Sequence, residues 1–139
     1  MTVPQDYVYA SRDFDRFMDE LIAVSGHATR HQAFAVLRGV LHTFRRHLEI
    51  EDALRFADIL PAVLRAIFVE SWHPEASPPA FPDRAALTAE VKSVRLHHNL
   101  ASEDSIRHVA LALRNTLDPR LIDHVLEPMP PGARDFWAT

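Results

Sequence analysis

The chain has no cysteine and only three glycines. Without cysteine there is no disulfide, no thiolate nucleophile and no cysteine-based zinc or iron–sulfur site. Three glycines leave little room for the Gly-rich loops that cradle phosphates or dinucleotides. Neither a Gly-x-Ser-x-Gly elbow nor a His-Glu-x-x-His helix is present. No apolar run approaches the roughly 20 residues of a membrane span. The opening stretch MTVPQDYVYASRDF has no basic segment leading into an apolar one, so it does not read as a signal peptide. A cytoplasmic protein without membrane association is expected. Positive charge is outnumbered too: 15 Lys and Arg stand against 19 Asp and Glu, for a net charge of −4. That balance disfavours nucleic acid as the main partner, though a local basic face remains open.

What is present is apolar and helically spaced. The 139 residues are 47 % hydrophobic, ample for a buried core without a metal. Residues 1–11 read as a short irregular arm carrying Tyr7 and Tyr9. From Arg12, Phe14, Phe17, Met18, Leu21 and Ile22 recur at steps of three and four, one stripe of an amphipathic helix. Gly26 is a fitting stop, and Thr29 with Gln32 reads as a capping box that opens a long second helix. Its stripe is Phe34, Leu37, Val40, Leu41, Phe44 and Leu48. A third helix is expected to turn Ile50, Leu54, Ala57 and Leu60 inward. Pro61 suits the first turn of a fourth, which carries Leu64, Ile67, Phe68 and Trp72.

The segment His73–Pro82 holds four prolines in ten residues and is no helix interior. Helical pattern resumes after Asp83 with Leu87, Val91 and Val94. Ser102 is expected to cap the helix of Ile106, Val109, Leu113 and Leu117. Asp118-Pro119 opens the helix of Leu121, Ile122, Val125 and Leu126, and Pro130 opens a last piece ending in Phe136 and Trp137.

A shift of 69 positions (106 − 37) lays one half over the other without a gap. Leu37 falls on Ile106, Val40 on Val109, Phe44 on Leu113 and Leu48 on Leu117. Arg38 falls on Arg107, Arg45 on Arg114, Pro61 on Pro130, Arg65 on Arg134 and Phe68 on Trp137. Shared Pro and Arg positions point to an internal repeat rather than two unrelated amphipathic segments. The expected architecture is all-α: two tandem four-helix repeats related by pseudo-twofold symmetry, packed into one globular bundle. The division is an arm over 1–11, repeat 1 over 12–73, a Pro-rich linker over 74–82 and repeat 2 over 83–139.

Three stretches carry a family resemblance: Val40-Leu41-His42-Thr43-Phe44-Arg45-Arg46-His47-Leu48, Ala57-Asp58-Ile59-Leu60-Pro61-Ala62-Val63-Leu64-Arg65 and Glu70-Ser71-Trp72-His73-Pro74. With the ending Pro130-Pro131-Gly132-Ala133-Arg134-Asp135-Phe136-Trp137, they resemble the bacterial family called domain of unknown function 2267, over about residues 12–137. The resemblance implies a small, all-helical, two-repeat bacterial protein. It supplies no activity, cofactor or catalytic residue.

Nine histidines are the oddest feature of the composition. His27 and His31 are four apart, but Gly26 and the Thr29 cap break the helix between them, and the adjacent His97 and His98 point apart on any helix. No metal site or cofactor is expected. Arg38 and Arg45 are seven apart, on nearly one helical face, and Arg107 and Arg114 repeat that spacing. Guanidinium forks suit phosphate or carboxylate, so these four are the candidate ligand-binding residues. The alternative is structural: braces at helix C-termini, with Arg65 and Arg134 paired to Asp58 and Glu127. Trp72, Trp137, Tyr7 and Tyr9, with Phe81, are candidates for a partner-binding aromatic patch, against the alternative that both tryptophans plug the core. No paired carboxylates mark an acid–base site, so no enzyme is expected. The leading expectation is a non-enzymatic protein-interaction or adaptor module with an unknown protein partner, able to self-associate. A binder of a small phosphate or carboxylate ligand through the repeated arginines is the alternative, and nucleic-acid binding a weaker one.

Overall fold

The computed structural model describes residues 3–27, 29–94 and 102–139. Among them there are nine helices and no strand. They are α1 (Gln5–Val8), α2 (Ala10–Ser25), α3 (Arg30–Arg46), α4 (Ile50–Ile59), α5 (Ala62–Val69), α6 (Arg84–Ser93), α7 (Ser105–Thr116), α8 (Pro119–Leu126) and α9 (Pro131–Trp137).

Local chemistry sets the ends. The Thr29 hydroxyl accepts from the Gln32 amide at 3.1 Å, Asp83 from the Ala86 amide at 2.9 Å and Asp118 from the Arg120 amide at 3.0 Å. Each satisfies one of the orphan donors of a first turn. Pro119 and Pro131 open their helices, where a missing N–H costs nothing. Gly26 closes α2 with φ of 73°, in the left-handed region that favours glycine. Pro61 and Pro130 occupy the N-caps of α5 and α9.

The helices share one core. α2 packs on α7 and α6 on α3, while α4 packs on α8 and α3 on α7. The centre is aromatic. Phe44 lies 4.8 Å from Phe56 edge-on, 4.9 Å from Phe136 and 5.2 Å from Trp137, and Phe56 stacks on Trp137 at 5.5 Å. Such pairs add about 0.5–1.5 kcal/mol each beyond the area they bury. Under the shift of 69, two helix starts coincide: Ala62 goes to Pro131, the first residue of α9, and Ile50 to Pro119, the first of α8, whereas the starts of α2 and α3 fall ahead of those of α6 and α7.

Several local expectations are corrected. The arm is not irregular: it holds α1, and α2 starts at Ala10 rather than Arg12. In α4 the inward face is Ala53, Phe56, Ala57 and Leu60, whereas Ile50 and Leu54 are about half exposed. Phe56 takes the central place because an aromatic ring fills the gap between Phe44 and Trp137 that no smaller side chain there would fill. Val94 is exposed. The Ser102 hydroxyl accepts from the Asp104 amide in a turn ahead of α7, and Asp104 holds the N-cap position. His97 and His98 lie outside the described residues.

The Pro-rich segment is not helical and is pinned at both faces. Phe81 packs 5.8 Å from Phe44 and 5.1 Å from the His47 ring. Gly132 on α9 leaves the space it occupies: a Cβ there would lie 2.4 Å from that of Phe81. Arg84 continues the attachment by donating to the carbonyls of Asp135 and Phe136 at the end of α9.

Candidate functional site

The last turn of each α-helix leaves carbonyls without an internal partner. Glycine usually helps close that end, and only Gly26 does so here. Arginines from other elements serve several of the remaining ends. Arg45, 8 % exposed, donates through Nη1 to the Phe68 carbonyl at 2.9 Å and to the Glu70 carbonyl at 2.6 Å. Arg114 donates through Nε to the Trp137 carbonyl at 2.9 Å and through Nη1 to Asp123 at 3.0 Å. Arg65 donates to the carbonyls of Ala57 and Leu60, each at 3.0 Å. The anticipated pairing of Arg65 with Asp58 is therefore replaced by a brace on the end of α4. A guanidinium presents five donors, and two neighbouring carbonyls at a helix end match that fork.

The four candidate ligand-binding arginines do not form one site. Arg38 and Arg45 come together around Glu70, whose carboxylate lies 3.4 Å from Arg38 Nη2. Arg107 is exposed and 3.8 Å from Asp104, while Arg114 serves Trp137 and Asp123 two turns further along. Beside Arg45 is a cleft of about 230 Å³ lined by His42, Arg46, Leu48, Trp72, His73 and Glu75. There the His42 Nε2 is 2.8 Å from the Ile67 carbonyl, so that nitrogen carries the hydrogen and Nδ1 is left as an acceptor. Burial holds the His42 pKa below the ordinary histidine value, and the charges of Arg45 and Arg38 add to this against the Ile67 bond. Burial likewise lowers the Arg45 pKa. A second cleft of about 590 Å³ is lined by Arg114, Arg120, Asp123, His124, Glu127 and Arg134. Arg134 is exposed and makes no ion pair or hydrogen bond among the described residues, not even with Glu127.

The aromatic candidates scatter as well. Trp137 is 1 % exposed and belongs to the core, so it offers no surface to a partner. Trp72 is half-buried on Phe68, with the Arg45 guanidinium 5.8 Å from its ring centre. Phe81 is in the core side of the linker rather than a surface patch. Tyr7 and Tyr9 are 56 % and 39 % exposed, and the Arg12 guanidinium lies 4.0 Å over the Tyr9 ring. Sequence reading passed over His47 and Glu90. Their ring nitrogen and carboxylate meet at 2.9 Å although the residues are 43 positions apart, and no local spacing signals that meeting.

Among the described residues no three metal-ligating side chains converge, and no helix is long and apolar enough to cross a membrane. The molecule is a small all-α bundle in which two of the four candidate arginines, Arg45 and Arg114, are turned to its own helix ends. The chain belongs to the family described as an uncharacterized conserved protein (DUF2267), whose profile matches residues 14–136. No match was found among curated proteins.

Proposed function

We propose that this protein is a non-enzymatic interaction module of the cytoplasm, arisen by duplication of one helical unit, and that its N-terminal arm is the surface that meets a partner. One observation carries the reading: α1 buries no residue of its own, yet Val3, Tyr7, Val8 and Tyr9 are 57 %, 56 %, 58 % and 39 % exposed. A soluble protein seldom displays four large apolar side chains within seven positions without a use for them. Tyrosine suits the role, because it contributes a broad apolar face and a hydroxyl at the loss of few rotatable bonds. The test is capture of partners, a second copy included, by the intact protein and by a Tyr7→Ser, Val8→Ser double variant. Association retained in the variant, or none in the wild type under native mass measurement and cross-linking, ends the reading.

A second reading has its own support. In the cleft of about 590 Å³ near α9, Arg134 has no partner among the described residues and stands with Arg114, Arg120 and His124. That set favours a small phosphate or carboxylate ligand. It predicts thermal stabilisation by inorganic phosphate or citrate that disappears in Arg134→Ala. Arg45 adds less to it, since its Nη1 is committed to the carbonyls of Phe68 and Glu70.

A further inference from the structure

We propose that His47 and Glu90 form a proton-dependent latch that fastens the Pro-rich segment and α6 to the end of α3. His47 is the C-cap of α3, and its side chain is 2 % exposed. Its Nδ1 is 3.0 Å from the Pro79 carbonyl, in the segment between the two halves. Its Nε2 is 2.9 Å and 3.1 Å from the two carboxylate oxygens of Glu90, on α6. The ring lies against Phe81.

A backbone carbonyl only accepts, and so does an ionised carboxylate. A neutral imidazole has one N–H, so it serves one of these two partners and turns a lone pair toward the other. Both bonds form together only when the imidazole and carboxylate share an additional proton. Among the described residues Arg46 is the other charged group at the pair, with Nη1 3.4 Å from Glu90 Oε1. Its charge favours an ionised carboxylate over a protonated one, so a proton held by the pair sits on the imidazole, though the same charge weakens the pair's hold on that proton. The Phe81 ring, an electron-rich surface, favours the protonated imidazole. Pro79 sits on the linker and Glu90 on α6, so one proton holds two segments to α3. Its loss leaves one of them facing a lone pair in a place that water barely reaches.

The latch is closed while the pair holds the extra proton and opens as rising pH removes it. Opening frees residues 74–80 and loosens Phe81 from its place against Gly132.

Three measurements decide. Nitrogen-edited NMR of the intact protein near neutral pH should show two ring N–H signals for His47; a single one overturns the latch. Limited proteolysis within residues 74–80 should accelerate about tenfold on the alkaline side of neutrality in the wild type; a rate independent of pH overturns it. Glu90→Gln offers both an amide donor and a carbonyl acceptor, so a neutral His47 satisfies both partners. This variant should stay protected with no alkaline step, and a step that persists refutes the proton's role. Glu90→Ala should be cleaved faster at every pH, and wild-type protection there contradicts the fastening. The glutamate side chain is 22 % exposed, so both changes leave the aromatic core intact.

Discussion

Arg45 and Arg114 stand 69 positions apart (114 − 45), and so do the two carbonyls they serve, those of Phe68 and Trp137 (137 − 68). Each guanidinium reaches from a long helix to the end of a short one, α5 or α9. These short helices lack the left-handed glycine that would close them, because glycine is so scarce in the chain. An arginine fork from outside supplies donors that the chain's own turn does not. The arrangement accounts for the register shared by Arg45 and Arg114, whereas Arg38 and Arg107 pair with carboxylates instead.

Arg45→Met tests the brace. Methionine keeps much of the apolar stem and removes every donor, leaving the Phe68 carbonyl unpaired in a buried place and that of Glu70 in a half-buried one. An unpaired buried group costs about 1–3 kcal/mol, so a loss of roughly 2–4 kcal/mol is expected. Arg114→Met, at a more exposed end, should cost about half as much. Chemical denaturation measures both, with the midpoint lowered and the slope unchanged.

The phase of α4 gives a sharper contrast. Phe56 is fully buried between Phe44 and Trp137, whereas Leu54, two positions away, is 54 % exposed. Phe56→Ala should cost about 3–5 kcal/mol and Leu54→Ala less than about 1 kcal/mol. Equal effects in thermal or denaturant unfolding would contradict the packing.

That same helix shows where sequence reading stops. Helix ends were legible, because Thr29, Asp83, Asp118, Gly26 and the prolines act within a few residues of themselves. The stripes of α3 and α7 were legible because they are long enough to fix a phase. In α4, ten residues allow two phases: the stripe through Ile50 and Leu54, and the neighbouring one through Ala53 and Phe56. Contacts from outside the helix, with Phe44 and with Trp137 far along the chain, choose between them. The braces were half legible. Their repetition was visible, but the acceptors are backbone carbonyls, which no side-chain pattern announces. His47 was illegible for the same reason, its partners Pro79 and Glu90 lying 32 and 43 positions away.

Gly132 tests how firmly the linker is seated. Alanine there would bring its Cβ to 2.4 Å from the Phe81 Cβ and 2.8 Å from the first ring atom. Those atoms are near the backbone of a pinned segment, so relief requires moving Phe81 away from Phe44. A destabilisation of about 1–3 kcal/mol or more is expected, together with faster proteolysis between residues 74 and 80. An unfolding midpoint equal to the wild type would show that the segment shifts freely.

The arm should behave in the opposite way. Because α1 buries no residue, Tyr7→Ser with Val8→Ser should change stability by no more than about 0.5 kcal/mol. The same change should remove partner association. Unfolding curves and native mass measurement on one sample separate the two, and a large loss of stability would mean that the arm packs rather than presents.

His42 supplies an acid-side dependence. Burial, chiefly, lowers its pKa in the folded chain, and burial with the charge of Arg107 does the same for His108. For a base with a lowered folded pKa, the unfolded chain takes up the proton first as pH falls. Stability from these residues is therefore complete above the ordinary histidine value, about 6.5, and is lost as pH falls through it toward the lower folded value. His42→Gln keeps a donor for the Ile67 carbonyl, now from an amide that does not titrate. Unfolding measured between about pH 5 and 7 should show a shallower acid slope in that variant than in the wild type. A slope left unchanged would mean that protonation of His42 does not oppose folding.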